Sequence, residues 1–231
     1  MIQMENVTKT YTLRKQQVIG LDDATLAIPA GDFVSLVGPS GSGKSTLLLM
    51  LGGMLTPTAG RVLIDGESLY DLPADGRARF RKQRIGFVFQ TFNLVPYLTA
   101  LENVRVPLYL AGVGGDDQLE RATALLNRMG LGQRLDHKPT ELSVGQQQRV
   151  ALARMLANDP AIILADEPTG NLDPETGEQI IRFFEEFNAE GRTIVMVTHD
   201  PQAAERAERT LKLREGRVVE DRPGKRMLQV A

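Results

Sequence analysis

The stretch SLVGPSGSGKSTLLLMLGGM, Ser35–Met54, reads as an apolar strand that breaks into a glycine-rich turn and resumes as an apolar helix. Inside it, Gly38-Pro-Ser-Gly-Ser-Gly-Lys44-Ser45 has the G-x-x-x-x-G-K-S spacing of a phosphate-binding loop. Glycines allow successive backbone N–H groups to converge on one point, forming an anion-binding nest. The helix that follows adds unpaired N-terminal donors and the positive end of its dipole. Lys44 can reach the β- and γ-phosphates of a nucleoside triphosphate, and Ser45 can place its hydroxyl on Mg²⁺. The candidate phosphate contacts are Gly38, Ser40, Gly41, Gly43, Lys44, Ser45 and Thr46.

Working outward, FVSLVG (Phe33 to Gly38) is the strand, and Lys44 to Gly53 the helix. Upstream, polar and apolar residues alternate through IQMENVTKTY and DATLAIPAGDF, which is strand and turn chemistry. GRVLIDG, Gly60 to Gly66, is a further strand. From about Leu94 to Leu156 the apolar residues fall at helical spacing, with Asp, Glu, Gln and Arg between them. AIILADEP (Ala161 to Pro168) restores a buried-strand pattern; a helix over Pro174 to Asn188 and a strand over Thr193 to His199 follow. LKLREGRVVE reads as a hairpin and RPGKRMLQVA as a tail. The pattern predicts a strand-and-helix core with a helical lobe inserted.

A chain of 231 residues suits one large domain, or a core with a smaller lobe. A formal net charge of −2 weighs against bulk attraction to nucleic acid or anionic membrane. The absence of cysteine excludes a disulfide framework, a thiolate zinc site and a cysteine nucleophile. The start, MIQMENVTKTYT, lacks the pattern of a signal peptide. The longest apolar run, Leu47 to Leu55, falls short of the roughly 20 residues that span a bilayer. These features predict a soluble chain whose membrane role, if any, comes through a partner.

AIILADEP puts Asp166 and Glu167 at the C-terminal end of a buried strand, the edge beyond which open α/β sheets bind ligands. Asp166 is the candidate Mg²⁺ carboxylate, and Glu167 the group that orients or deprotonates an attacking water. Seen alone, the pair could simply open a turn before Pro168. In LSVGQ, Leu142 to Gln146, Ser143 is a natural N-cap for the amphipathic helix QQRVALARMLAN. Its hydroxyl and the nearby amides make a second candidate anion site.

The phosphate loop, ILADEP and LSVGQ together resemble the nucleotide-binding subunits of ABC transporters, and the similarity runs along nearly the whole chain. The resemblance implies an α/β fold of the ABC ATPase type. This is a P-loop NTPase (RecA-like) core with an antiparallel β subdomain, residues 1–91 and 157–231. The helical subdomain, residues 92–156, carries the signature motif. It implies that Tyr11 stacks on adenine and that Gln90 approaches Mg²⁺ and the attacking water. It makes LSVGQ the signature motif, with Ser143, Gly145 and Gln146 as nucleotide contacts, and Asn171-Leu172-Asp173 the dimer-contacting loop. His199 becomes the histidine that contacts the γ-phosphate. Lys44, Gln90, Glu167 and His199 are thus the implied catalytic set, and Ser45, Gln90 and Asp166 the implied metal set. By themselves Tyr11 reads as a packed strand aromatic, His199 as a structural histidine and Ser143 as a helix cap.

The resemblance further implies two copies facing head to tail, with each ATP held between one phosphate loop and the other copy's signature helix. Val144 departs from the family's common LSGGQ; a β-branched residue there restricts the backbone and implies tuning of activity rather than its loss. FNLVPYLTALENV with ADEPTGNLD looks most like the ATPases of the lipoprotein-release, macrolide-export and antimicrobial-peptide-resistance group. That implies a cytoplasmic protein, peripheral on the inner face of the membrane, docking a permease near Phe92, Leu94 and Tyr97. The helical spacing of Leu101, Val104 and Leu108 predicts an internal face instead. The competing class, a soluble ABC ATPase acting on DNA or ribosomes, would bring coiled-coil insertions, a second ATPase domain or a basic block, and none is present.

Overall fold

The strands that carry the fold are apolar without alternation, because both of their faces are covered. In order, the elements are β1 (Ile2–Leu13), β2 (Gln16–Ile28), β3 (Phe33–Val37), α1 (Lys44–Leu51), β4 (Ala59–Ile64), β5 (Glu67–Ser68), α2 (Ala74–Arg84) and β6 (Ile85–Phe89). Then come α3 (Ala100–Leu110), α4 (Gly115–Arg128), a 3₁₀ turn at Pro139–Glu141, α5 (Val144–Leu156), β7 (Ile162–Asp166) and α6 (Pro174–Ala189). The chain closes with β8 (Thr193–Val197), α7 (Pro201–Glu205), β9 (Arg209–Arg214) and β10 (Arg217–Pro223). This computed structural model describes residues 1–13 and 16–223; of the expected tail, residues 224–231 lie outside the described residues.

β10-β9-β3-β8-β7-β6 form a six-stranded sheet, parallel except for β10, and β2-β1-β4-β5 form an antiparallel sheet of four. The period-2 alternation of a strand sorts the six-stranded sheet's residues between two cores. Val34, Leu36, Ile162, Leu164, Val195 and Val197 join α1 and the four-stranded sheet. Phe33, Ile163, Ala165, Ile194 and Met196 join α3, α4, α5 and α6. Each fully buried Val, Leu or Ile contributes roughly 1.5–3 kcal/mol, so both layers are held by the same strands.

Register fixes what the sheet presents. Leu36 and Asp166 both lie opposite Val197, and Phe89 lies opposite Asp166. The C-terminal ends of β3, β8, β7 and β6 therefore form one edge, in that order. The stretch 92–156 enters from β6 and returns into β7, two strands paired in parallel. As their spacing predicts, Val104 and Leu108 are fully buried and Leu101 packs against the same core.

Some boundaries differ from the sequence reading. α1 stops at Leu51 because Gly53 turns into the left-handed region at φ +63°, its amide donating to Met50 and that of Met54 to Leu49. β8 stops at Val197, since Thr198 then donates to Leu36 across the sheet and accepts from the Asp200 amide. α2 is not readable as a helix: ADGRARFRKQR has no apolar stripe and buries no residue fully, only Phe80 packing in part on the core.

Candidate functional site

Beyond the shared strand edge lies a cavity of about 560 Å³, lined by Lys44, Gln90, Asp166, Glu167 and His199 and closed on one side by Tyr11. The loop after β3 brings Gly38 and Ser40 to Thr46 into it. β7 ends in Asp166 and Glu167, β6 leads to Gln90, and β8 leads to His199. All residues assigned to the phosphate end thus meet, although they come from four strands separated in sequence.

The loop is built so that only glycine fits at its tightest points. Gly43 caps α1 at φ +102°, and a Cβ there would lie 2.3 Å from the Gly20 carbonyl oxygen. A Cβ on Gly38 would lie 2.2 Å from the Leu213 carbonyl oxygen. Gly43→Ala is therefore expected to abolish high-affinity nucleotide binding and to lower the thermal midpoint. Calorimetry and a melting curve check both effects, and wild-type affinity in this variant would contradict the packing argument.

Lys44 Nζ donates to the carbonyls of Gly38 and Pro39, at 2.9 and 3.0 Å, so the loop itself holds the ammonium at the mouth of the nest. The buried Ser42 hydroxyl, lining the same cavity, has no hydrogen-bond partner among the described residues. Ser45 Oγ donates to Asp166 Oδ1 at 3.3 Å, which sets a hydroxyl beside a carboxylate. No cluster of three or more His, Cys, Asp or Glu among the described residues could hold a metal by itself. One hydroxyl and one carboxylate beside a phosphate nest is the donor set for Mg²⁺, which keeps waters and phosphate oxygens as its other ligands.

Glu167 sits at φ +50°, an uncommon backbone for a non-glycine residue. Its amide is tied to Val197 and its carbonyl accepts from Gly170. Its carboxylate meets His199, with Oε2 2.7 Å from Nδ1 and 3.3 Å from the His199 amide. When Glu167 is ionised it can only accept, which places the ring proton on Nδ1. Gln90 donates from Nε2 to Asn171 Oδ1 at 3.5 Å, and its backbone carbonyl accepts from Asn171 Nδ2 at 2.9 Å. Tyr11 meets the Thr46 hydroxyl at 3.2 Å. The close approach of Gly20 to the Tyr11 ring makes room for it, since a Cβ there would lie 2.6 Å from Cε2.

Ser143, Gly145, Gln146 and Asp173 do not line this cavity. Ser143 caps α5 reciprocally with Gln146, Oγ accepting the Gln146 amide and Gln146 Oε1 accepting the Ser143 amide. Gly145 lies where a Cβ would touch Thr176, so the start of α5 packs on the start of α6. Asp173 caps α6 through the Thr176 amide at 3.0 Å, and its hydrogen bonds to Thr176 hold its carboxyl below the usual range. Val144 is half exposed beside them. Val18 and Ile19, which line the cavity next to Tyr11, escaped the sequence reading. The signal that finds Val18 is the antiparallel register placing it opposite Tyr11.

A larger groove, about 690 Å³, is lined by Met54, Phe87, Phe89, Val106, Leu110 and Arg154 among others. β6 joins the two features: Phe89 lines the groove and the next residue, Gln90, lines the cavity. Of the three docking candidates, Tyr97 is 73% exposed, whereas Phe92 is half-buried and Leu94 packs part of its side chain on the core.

The model of the family described as ABC transporter matches residues 21–170. A macrolide export ATP-binding/permease protein, MacB, of Syntrophobacter fumaroxidans is 50% identical over 227 residues, 97% of this chain and 32% of that protein. The chain thus spans about a third of the length of such relatives. An ABC transporter ATP-binding protein of Methanocaldococcus jannaschii, MJ0796, is 49% identical over 94% of this chain and 95% of its own. The dimeric structure of MJ0796 in a post-hydrolysis state with ADP and Pi superposes at a TM-score of 0.91, with 46% identity over 96% of this chain and 98% of that one.

Proposed function

Because the chain belongs to the ABC transporter family, we propose that it binds and hydrolyses ATP between two copies of itself and drives a membrane permease. The fold is that of the ABC ATPase cassette. The observation that carries the reading is a division within one chain. The phosphate loop, Asp166, Glu167, Gln90 and His199 share a cavity, while Ser143, Gly145 and Gln146 lie outside it. Each copy then holds two incomplete half-sites, and an isologous pair completes both.

Gly38 to Thr46 bind the phosphates through backbone amides and Lys44, and Tyr11 packs on the base with Val18 and Ile19 around it. Ser45 and Asp166 would hold Mg²⁺, with Gln90 beside it; the ion, when bound, neutralises phosphate charge. Glu167 accepts the proton of a water whose oxygen bonds to the γ-phosphorus as the bond to the bridging oxygen of ADP breaks. His199 orients the Glu167 carboxylate through Nδ1 and presents its other nitrogen toward the phosphates. The second copy's Ser143 and the amides at its helix start close over the nucleotide.

We read residues 92–156 as the helical arm carrying the signature motif, and the apolar groove, together with the exposed Tyr97, as the permease dock. The MacB-type relatives, whose names join an ATP-binding and a permease function, support an exporter or force-transmitting complex. On this reading the chain works on the cytoplasmic side of a membrane through its partner; no described helix is long and apolar enough to cross one.

Purified chain should release phosphate from ATP with Mg²⁺, and light scattering should show a monomer without nucleotide. A catalytically slowed variant that stays monomeric with saturating ATP at high protein concentration would refute the sandwich. For the dock, Leu110, which is 63% exposed, is the informative position. Leu110→Asp should lose capture of an integral membrane protein from detergent-solubilised native membranes while keeping its ATP turnover. Unimpaired capture would remove the groove from the interface.

A further inference from the structure

α5 begins at the signature motif, and one turn along it lies a fully buried amide that the proposed cycle does not use. Gln148 donates from Nε2 to the Pro168 carbonyl at 2.6 Å. Its Oε1 has no hydrogen-bond partner among the described residues. The reverse orientation of the amide would set two oxygens against each other, so the Pro168 carbonyl fixes which end faces it.

Pro168 directly follows Glu167. Glu167 is in the left-handed region, its amide tied to β8 and its carbonyl to Gly170. As a proline, residue 168 has no N–H with which to anchor itself. Its peptide is held on the carbonyl side by Gln148. A buried polar side chain left half-satisfied is a poor choice for packing alone, since an apolar residue of that size would leave no unpaired oxygen.

We propose that Gln148 is a positioning residue that fixes the turn carrying Glu167, and so sets the direction of its carboxylate relative to the attacking water. The proposal rests on Glu167 being the general base. It also means that the helix presenting Ser143 to a second copy is tied to the Glu167 of its own chain.

The test is a cycle of purified variants: Gln148→Met, Gln148→Glu, Glu167→Gln and the Gln148→Met/Glu167→Gln double variant, each assayed for ATP turnover, ATP affinity and thermal midpoint. Met keeps the volume and removes the donor. Glu keeps the shape and, held neutral by burial, donates its O–H to the Pro168 carbonyl, so it is the conservative rescue of the same contact. A misplaced catalytic group costs on the order of 100-fold when it moves by about 1 Å. The expected result is kcat about 10- to 100-fold lower in Gln148→Met and largely restored in Gln148→Glu, with ATP affinity within about twofold of wild type in both. In the Glu167→Gln background Gln148→Met should cost nothing more, because no base remains to be placed. The same fold-loss from Gln148→Met in both backgrounds, or a kcat for Gln148→Met within about twofold of wild type, would overturn the proposal. Full activity in Glu167→Gln alone would instead refute the general-base reading on which it stands.

Discussion

Glu167→Gln should bind ATP as the wild type does and turn it over about 10²–10⁴-fold more slowly, the range that a positioned general base contributes. The change keeps the side chain's length and shape, and the backbone at φ +50° is held by Val197 and Gly170 rather than by the carboxylate. What disappears is the acceptor for the water's proton. The amide oxygen can still accept from His199 Nδ1, so the imidazole keeps a partner at the position now 2.7 Å from Oε2. Since binding outlasts chemistry, the variant should accumulate as an ATP-bound dimer, visible as a doubled mass by light scattering. Phosphate release measured beside calorimetric ATP affinity separates the two effects. Full turnover with unaltered affinity would take Glu167 out of the chemistry and leave His199 to supply the base.

That result would test a role the sequence states openly, and the reason it does so is physical. Phosphate chemistry needs glycines, a lysine and a hydroxyl at fixed spacing, so Gly38 to Ser45 is legible from local sequence alone. The same holds for β7 and β8, whose burial on both faces forces continuous apolar runs. The order β3-β8-β7-β6 is not local: it depends on pairings between residues more than a hundred positions apart, such as Phe33 with Ile194. Without that order, the meeting of Lys44, His199, Glu167 and Gln90 could be expected only from the family resemblance.

Other parts were unreadable for different reasons. α2 has a single large apolar residue, Phe80, among its charged ones, so no apolar period marks it, although Phe80 packs on the core and Arg79, Arg81 and Lys82 line the groove. Phe92, Leu94 and Tyr97 are equally suited by composition to a docking surface. Packing decides among them: Arg154, whose charge is disfavoured by burial, takes the carbonyls of Phe92 and Asn93, at 2.7 and 2.6 Å, and draws that loop inward, while Tyr97 stays outside. Gln148 reads as one more polar residue on an amphipathic helix. Only the tertiary contact with Pro168 shows that it faces the core.

Lys44→Ala should act before chemistry. The ammonium lies at the mouth of the loop, 2.9 and 3.0 Å from the carbonyls of Gly38 and Pro39, and would contact the terminal phosphates as a point charge. A hydrogen bond to a charged group is worth about 1.5–3 kcal/mol, so ATP affinity should fall by about 10- to 150-fold. The loss should be smaller for a nucleotide that ends at the β-phosphate, since one of the lysine's partners is then missing in wild type as well. The substitution would also leave two loop carbonyls to water, a cost separable by the thermal midpoint without nucleotide. Leu47, Leu48, Met50 and Leu51 bury α1 independently of residue 44, so the fold should survive. Calorimetric titration with ATP and with ADP makes the comparison. Equal losses for the two would place the lysine on the α- and β-phosphates only, and unchanged affinity for both would show that the backbone nest binds without it.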